Sequence, residues 1–286
     1  MKIPGAVLLL ILSMGFLFSM EWPVTGGIIS RNFGWNNKGI PLLGVDFRSD
    51  GSVFSAEQGE LLFQSIEGNN ASRLPPVLGS WLALDHGGGI IGIYSRMDSG
   101  MPNVPKLVEK SMVLGESGLT GWSAEKGVSF TLFDRKERCW INPVILVSPL
   151  TDSGAPVILS VKLRDSEGRL FDLGQTRTIS QGRYTILADA SRIFQGSSRN
   201  PLAPFRIICS VNGTEIGGLN FETYSARDGV LMVYRNGLVP VRQVFSPWPA
   251  FELGDTSFSR GQVTMEVIAQ DAEGSSRNAV YRFTVE

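Results

Sequence analysis

A single histidine, His86, serves the whole 286-residue chain, and that scarcity excludes more chemistry than any motif present supplies. Zinc hydrolases, histidine-dependent acid–base enzymes and Ser or Cys triads all draw on imidazole. Most of that chemistry would have to pass through one side chain. Cysteine is almost as scarce. Cys139 and Cys209 lie far apart and form no Cys-x-x-Cys pair, which removes a zinc knuckle and a dithiol redox motif. Two isolated thiols, or a disulfide in an oxidising compartment, are the readings left open. Charge of one sign is lacking too: 26 Lys+Arg stand against 27 Asp+Glu, without a basic run. The sequence therefore has no electrostatic footprint for a phosphate backbone, and nucleic acid is not expected as a partner. No sustained helical period follows the first twenty residues.

A hydrophobic share of 43% with 19% charged residues is enough to bury real cores. At roughly 150 residues per domain, two domains are expected. Met1-Lys2 precedes an apolar stretch from Ile3 to Phe18, and the chain turns polar at Ser19-Met20-Glu21. That is the layout of a secretory signal over residues 1–20. Leu17 or Phe18 stands where a cleavage site needs a small residue, so an inner-membrane tether through residues 3–18 is the alternative. Either way the remainder is expected to be exported, to the periplasm or cell envelope.

After Glu21, short runs rich in Val, Ile, Leu, Phe and Tyr alternate with turn dipeptides such as Asp50-Gly51, Glu167-Gly168, Asn212-Gly213 and Asn236-Gly237. This pattern predicts an all-β protein. The Pro-bracketed stretch Pro149 to Pro156 is the candidate boundary, giving domains over 21–150 and 155–286. In the second, strands are expected over Val157–Leu163, Arg183–Ala188, Phe205–Val211, Val230–Tyr234, Gln262–Ala269 and Ala279–Val285. Their spacing suits a β-sandwich, and alternation puts Val263, Met265, Val267 and Ala269 on one face. The closing pair resembles the last hairpin of bacterial immunoglobulin-like domains.

The first domain carries a more specific order of segments: Trp22 to Gly34, Gly44-Val45-Asp46-Phe47, Val53 to Leu61, Trp81 to Gly87, Ile93-Tyr94-Ser95-Arg96-Met97, Leu114 to Gly121, Val128 to Leu132, and Asn142-Pro143. In that order they resemble the lysostaphin-like (LytM-type) zinc metallopeptidases that cut peptidoglycan cross-links. The resemblance implies a LytM-type, duplicated-hybrid-motif β-sheet core over about 22–147, followed by the immunoglobulin-like sandwich. It also implies where a zinc site would lie. The family takes two ligands from His-x-x-x-Asp, a third ligand and a base from His-x-His, and a further histidine from Tyr-x-His-Leu. Here Leu42 stands at the first histidine and Asp46 at the acid; Gly127 and Ser129 replace the pair, and Arg96 the last. His86 matches a position that lies outside the metal shell in the family. No cofactor is therefore expected, although the active relatives use zinc.

The resemblance thus implies a peptidase-like scaffold without its chemistry, with a candidate groove at Asp46, Tyr94, Arg96 and Ser129. With the metal gone, Asp46 is expected to pair with Arg96, to meet a backbone amide, or to stay solvated. Three functional readings stand. The first is a non-catalytic cell-envelope protein that binds peptidoglycan or regulates a cell-wall hydrolase. The second is an active zinc endopeptidase with unconventional ligands, and the third a structural protein-interaction module of the periplasm. Trp81 and Trp122 are candidates for lining a groove, and the aromatic stretch Phe245 to Phe251 for partner docking, although both also suit ordinary core packing.

Overall fold

The computed structural model describes residues 20–68, 76–147, 154–192, 201–245 and 250–286. Residues 1–19 of the expected leader and the link at 148–153 fall outside these residues, as does the centre of the aromatic stretch at 246–249. The described chain is all-β, its only helical turns being two short 3-10 segments at Pro143–Ile145 and Val241–Gln243.

In the N-terminal half, seven antiparallel strands run side by side in the order Ile28–Arg31, Val45–Arg48, Gly127–Asp134, Ile90–Met97, Ser80–Asp85, Gly59–Ser65 and Leu107–Val108. Successive side chains of a strand point to opposite faces. One face of this sheet takes Val45, Phe47, Leu82, Leu84, Tyr94, Val128, Phe130 and Leu132 into a dry core. Register places a different set on the other face. Asp46, Ser129 and Ser95 form one row across it, and Thr131, Ile93, Ala83 and Phe63 form the next.

The C-terminal half packs two sheets around a second core. A four-stranded sheet, Leu170–Asp172, Pro156–Arg164, Gly182–Arg192 and Phe251–Phe258, supplies Val161, Leu163, Ile186, Ala188 and Leu253. Opposite it, Arg206–Val211, Gly261–Gln270 and Ser276–Val285 supply Ile207, Cys209, Phe283 and the expected row Val263, Met265, Val267 and Ala269. That row is buried to the last residue, as period-two alternation requires. Cys209 is sealed in this core and Cys139 is half-buried elsewhere; both are free thiols.

The halves share backbone as well as side chains. The short strand Cys139–Ile141 pairs with Gly127–Asp134 on one side and with the long strand Thr214–Arg227 on the other, so a single sheet runs through both cores. Residues 32–43 cross the same way. Asn32 Nδ2 donates to the Ala203 carbonyl at 2.8 Å while its Oδ1 accepts the Ala203 N–H at 2.8 Å. Phe33 is fully buried in the C-terminal core, its ring 4.8 Å from that of Tyr224. Gly34 follows with φ +82°, and a Cβ there would lie 2.7 Å from the Phe221 ring, so both conformation and space call for glycine.

Candidate functional site

Asp46 lies on the second strand in the order of the N-terminal sheet, on the face away from the core, flanked by Arg31 on one neighbouring strand and Ser129 on the other. Its side chain is 2% exposed. Two guanidiniums reach one of its oxygens: Arg31 Nη2 lies 2.8 Å and Arg96 Nη1 3.0 Å from Oδ2. These are ion-pair contacts without hydrogen-bond alignment, and among the described residues neither carboxylate oxygen accepts an aligned donor. The cluster is held by charge. Around it, Ser30 Oγ donates to the Asp46 carbonyl at 3.3 Å, and the Arg31 guanidinium lies 5.5 Å from the centre of the Trp35 ring.

Both arginines reach this face by the same local device. Ile29 and Tyr94 are core residues, so strict alternation would send Arg31 and Arg96, each two positions on, into the core as well. Each strand carries one residue too many. Ser30 is inserted between the pairs Ile29–Phe47 and Arg31–Asp46. Ser95 and Arg96 together stand against the single Trp81, between the pairs Tyr94–Leu82 and Met97–Ser80. Such bulges turn the following side chain to the opposite face. At Arg96 the backbone is left-handed, with φ +64°, and its N–H is fixed by the Leu78 carbonyl at 2.8 Å. For a residue with a Cβ that conformation costs about 1 kcal/mol, and it persists because the surrounding sheet imposes it.

The bulge also corrects the expected groove. Tyr94 does not line it; the side chain is fully buried on the core face, packed 5.1 Å from the Phe130 ring. Its hydroxyl accepts the Ala56 N–H at 2.9 Å and lies 3.2 Å from His86 Nε2. His86 Nδ1 is 2.9 Å from the Gln58 carbonyl, which can only accept, so Nδ1 carries the proton and Nε2 accepts from Tyr94. Burial lowers the His86 pKa, keeping the ring neutral, and burial likewise raises that of Tyr94. The chain's one imidazole is thus consumed on the side of the sheet away from Asp46.

A zinc ion does not fit the residues that stand at the family's ligand positions. Asp46 already faces two guanidiniums, whose positive charge opposes a cation at the same oxygens. Gly127 leaves room for no side chain, since a Cβ there would overlap the Phe47 carbonyl oxygen. Ser129 is buried beside Asp46, and Leu42 directly follows the short strand Ile40–Pro41, its N–H bonded to the Trp35 carbonyl at 3.0 Å. Among the described residues, no three His, Cys, Asp or Glu side chains converge in a metal-binding group.

Two features escaped the sequence reading. Arg31 belongs to the cluster, and the inserted Ser30 hid it, because simple alternation from Ile29 points it inward. Arg48, two residues beyond Asp46 on the same face, is exposed. Trp122 is 72% exposed on a loop whose backbone meets Val77, with Trp122 N 3.4 Å from the Val77 carbonyl. Trp81 is half-buried, its ring 5.0 Å from that of the exposed Phe63. The ends of the aromatic stretch, Phe245 and Phe251, are core residues packed on each other at 5.5 Å.

Among curated proteins, none matches this sequence. A protein-family model matches residues 155–286. Among solved structures, the chain is similar to the antimicrobial peptidase lysostaphin from Staphylococcus simulans, with 14% identity and a TM-score of 0.36 over 76% of this chain and 86% of that one. It is similar to the catalytic domain of the prophage-encoded M23 protein EnpA from Enterococcus faecalis, with 15% identity and a TM-score of 0.34 over 41% of this chain and 87% of that one. A further similarity is to the SpoIIQ–SpoIIIAH pore-forming complex, with 16% identity and a TM-score of 0.36 over 46% of this chain and 92% of the matched one.

Proposed function

We propose that this chain is a non-catalytic, peptidase-like protein of the cell envelope that uses its open N-terminal sheet face to bind peptidoglycan or to regulate a cell-wall hydrolase. The observation that carries this reading is the occupation of Asp46 by Arg31 and Arg96 where the resemblance would place a metal. Two guanidiniums beside a buried carboxylate oppose a cation at the same oxygens, and the closed position at Gly127 removes a further ligand. In this reading the chain is exported through residues 1–20, and the two-sheet C-terminal half is an immunoglobulin-like support.

Co-sedimentation of the purified protein with isolated sacculi, with the supernatant assayed for released muropeptides, tests it. Pelleting without release is expected. Zinc-dependent release would overturn the reading. Absence of both pelleting and release would direct it to the hydrolase-regulating arm, tested by adding the protein to wall amidases and measuring their rate.

A further inference from the structure

The face around Asp46 carries more positive charge than its one carboxylate balances. Arg31 and Arg96 share Asp46 Oδ2, and Arg48 lies on the same strand face without an ion pair among the described residues. Three guanidiniums against one carboxylate leave a surplus of two positive charges, in a chain whose net charge is −1. Lys126 is balanced by Asp50 at 3.8 Å, and Glu67 on the rim, which accepts the Gly121 N–H at 2.9 Å, offsets one of the two, so the face stays net positive. Arg31 and Arg96 keep 24% and 18% of their side chains exposed, so their outer edges remain reachable while Asp46 does not. Each guanidinium is a planar fork of five donors matched to a carboxylate, and Asp46 engages one nitrogen of each.

An apolar rim adjoins these charges through the backbone. The Leu78 carbonyl holds Arg96, and the Val77 carbonyl meets the Trp122 N–H. These loops leave Leu78 41%, Leu119 60% and Trp122 72% exposed. Exposed apolar side chains beside a positive surplus are the composition of a surface made for an acidic, partly apolar partner.

We infer that Arg31, Arg48 and Arg96 form a carboxylate-recognition site for an acidic segment of a protein partner, with Leu78, Leu119 and Trp122 receiving the apolar residues beside the acids. Asp46 is a positioning residue here: it holds two like-charged guanidiniums together and does not touch the ligand. The inference rests on the proposed non-catalytic reading and names the ligand class of that same face.

Fluorescence anisotropy on the full chain, with a labelled octapeptide alternating glutamate with leucine and tryptophan, tests it beside the same peptide carrying glutamine. The glutamate peptide is expected to bind at least about tenfold more tightly, and its affinity to fall as salt rises. Arg48→Glu is expected to weaken it roughly tenfold or more. Arg48 is exposed, so the fold should be unaffected; if circular dichroism shows otherwise, Arg48→Gln takes its place and should weaken binding in the same direction. Trp122→Ala should weaken both peptides alike. Equal binding of the two peptides, or an affinity indifferent to the Arg48 change, would overturn the inference. Pelleting with sacculi alongside such a negative result would leave the proposed function standing, whereas zinc-dependent wall cleavage would overturn that function and, with it, this inference.

Discussion

The N-terminal sheet buries a polar cluster on each of its faces, and the two are built on opposite principles. On the core face, His86 and Tyr94 are neutral, and each polar atom that meets another has a directed partner in Gln58, Ala56 or the other ring. On the open face, Asp46 is flanked by two guanidiniums and accepts no aligned hydrogen bond. A satisfied neutral network rigidifies a core and offers nothing to a ligand. A cluster held by charge, with its cations partly exposed, has interaction capacity left over. The sheet therefore separates a structural polar site from one available for binding.

Removing one side of each cluster tests that contrast. The largest effect is expected for Asp46→Ala, which leaves two guanidiniums side by side without a counter-charge. Urea denaturation should show a loss of about 3 kcal/mol, and a loss below that for Tyr94→Phe would reverse the contrast. Tyr94→Phe strips the Ala56 N–H and His86 Nε2 of a partner and is expected to cost about 2 kcal/mol in the same measurement.

Acid provides a third, smaller test. Burial lowers the His86 pKa in the folded state, so below the ordinary histidine value of about 6.5 the unfolded chain binds a proton that the native chain refuses. Stability is then fully present above that pH and falls as pH drops from about 6.5 toward 5, before most carboxylates titrate. His86→Gln should flatten the stability profile in that window, and an unchanged slope would show that His86 is not the group responsible. Smallest is Arg96→Gly, where relief of the left-handed backbone offsets part of the lost ion pair. A net loss of about 1 kcal/mol by denaturation is expected.

The all-β class was legible because glycine turns punctuate short β-branched and aromatic runs, and strict alternation gave the buried face of Gly261–Gln270 residue by residue. Asp46 and Arg96 were legible as a pair of interest, while Tyr94 was grouped with them and Arg31 was not singled out, and one feature accounts for both. Alternation counts residues, and a bulge adds one. With Ser95 and Arg96 opposite Trp81, positions 94 and 96 fall on opposite faces; with Ser30 inserted, Arg31 joins a face that counting denies it. The strand Thr214–Arg227, absent from the expected strands, is the longest among the described residues. Gly217-Gly218 and a scatter of polar residues hide its period, and its register shifts between Asn220 and Tyr224, so its apolar residues Leu219, Phe221 and Tyr224 never alternate cleanly.

The clamp between Asn32 and Ala203 also fixes an order of events. These residues are 171 positions apart, and Phe33 is buried in a cluster built mainly by side chains of the C-terminal half. As the chain emerges from its N-terminus, the segment leading to Leu42 and Asp46 has no place to settle until residues beyond 203 have followed. The open face would then be completed late, after the support behind it, and a truncated or stalled chain would present an unfinished surface to whatever it meets.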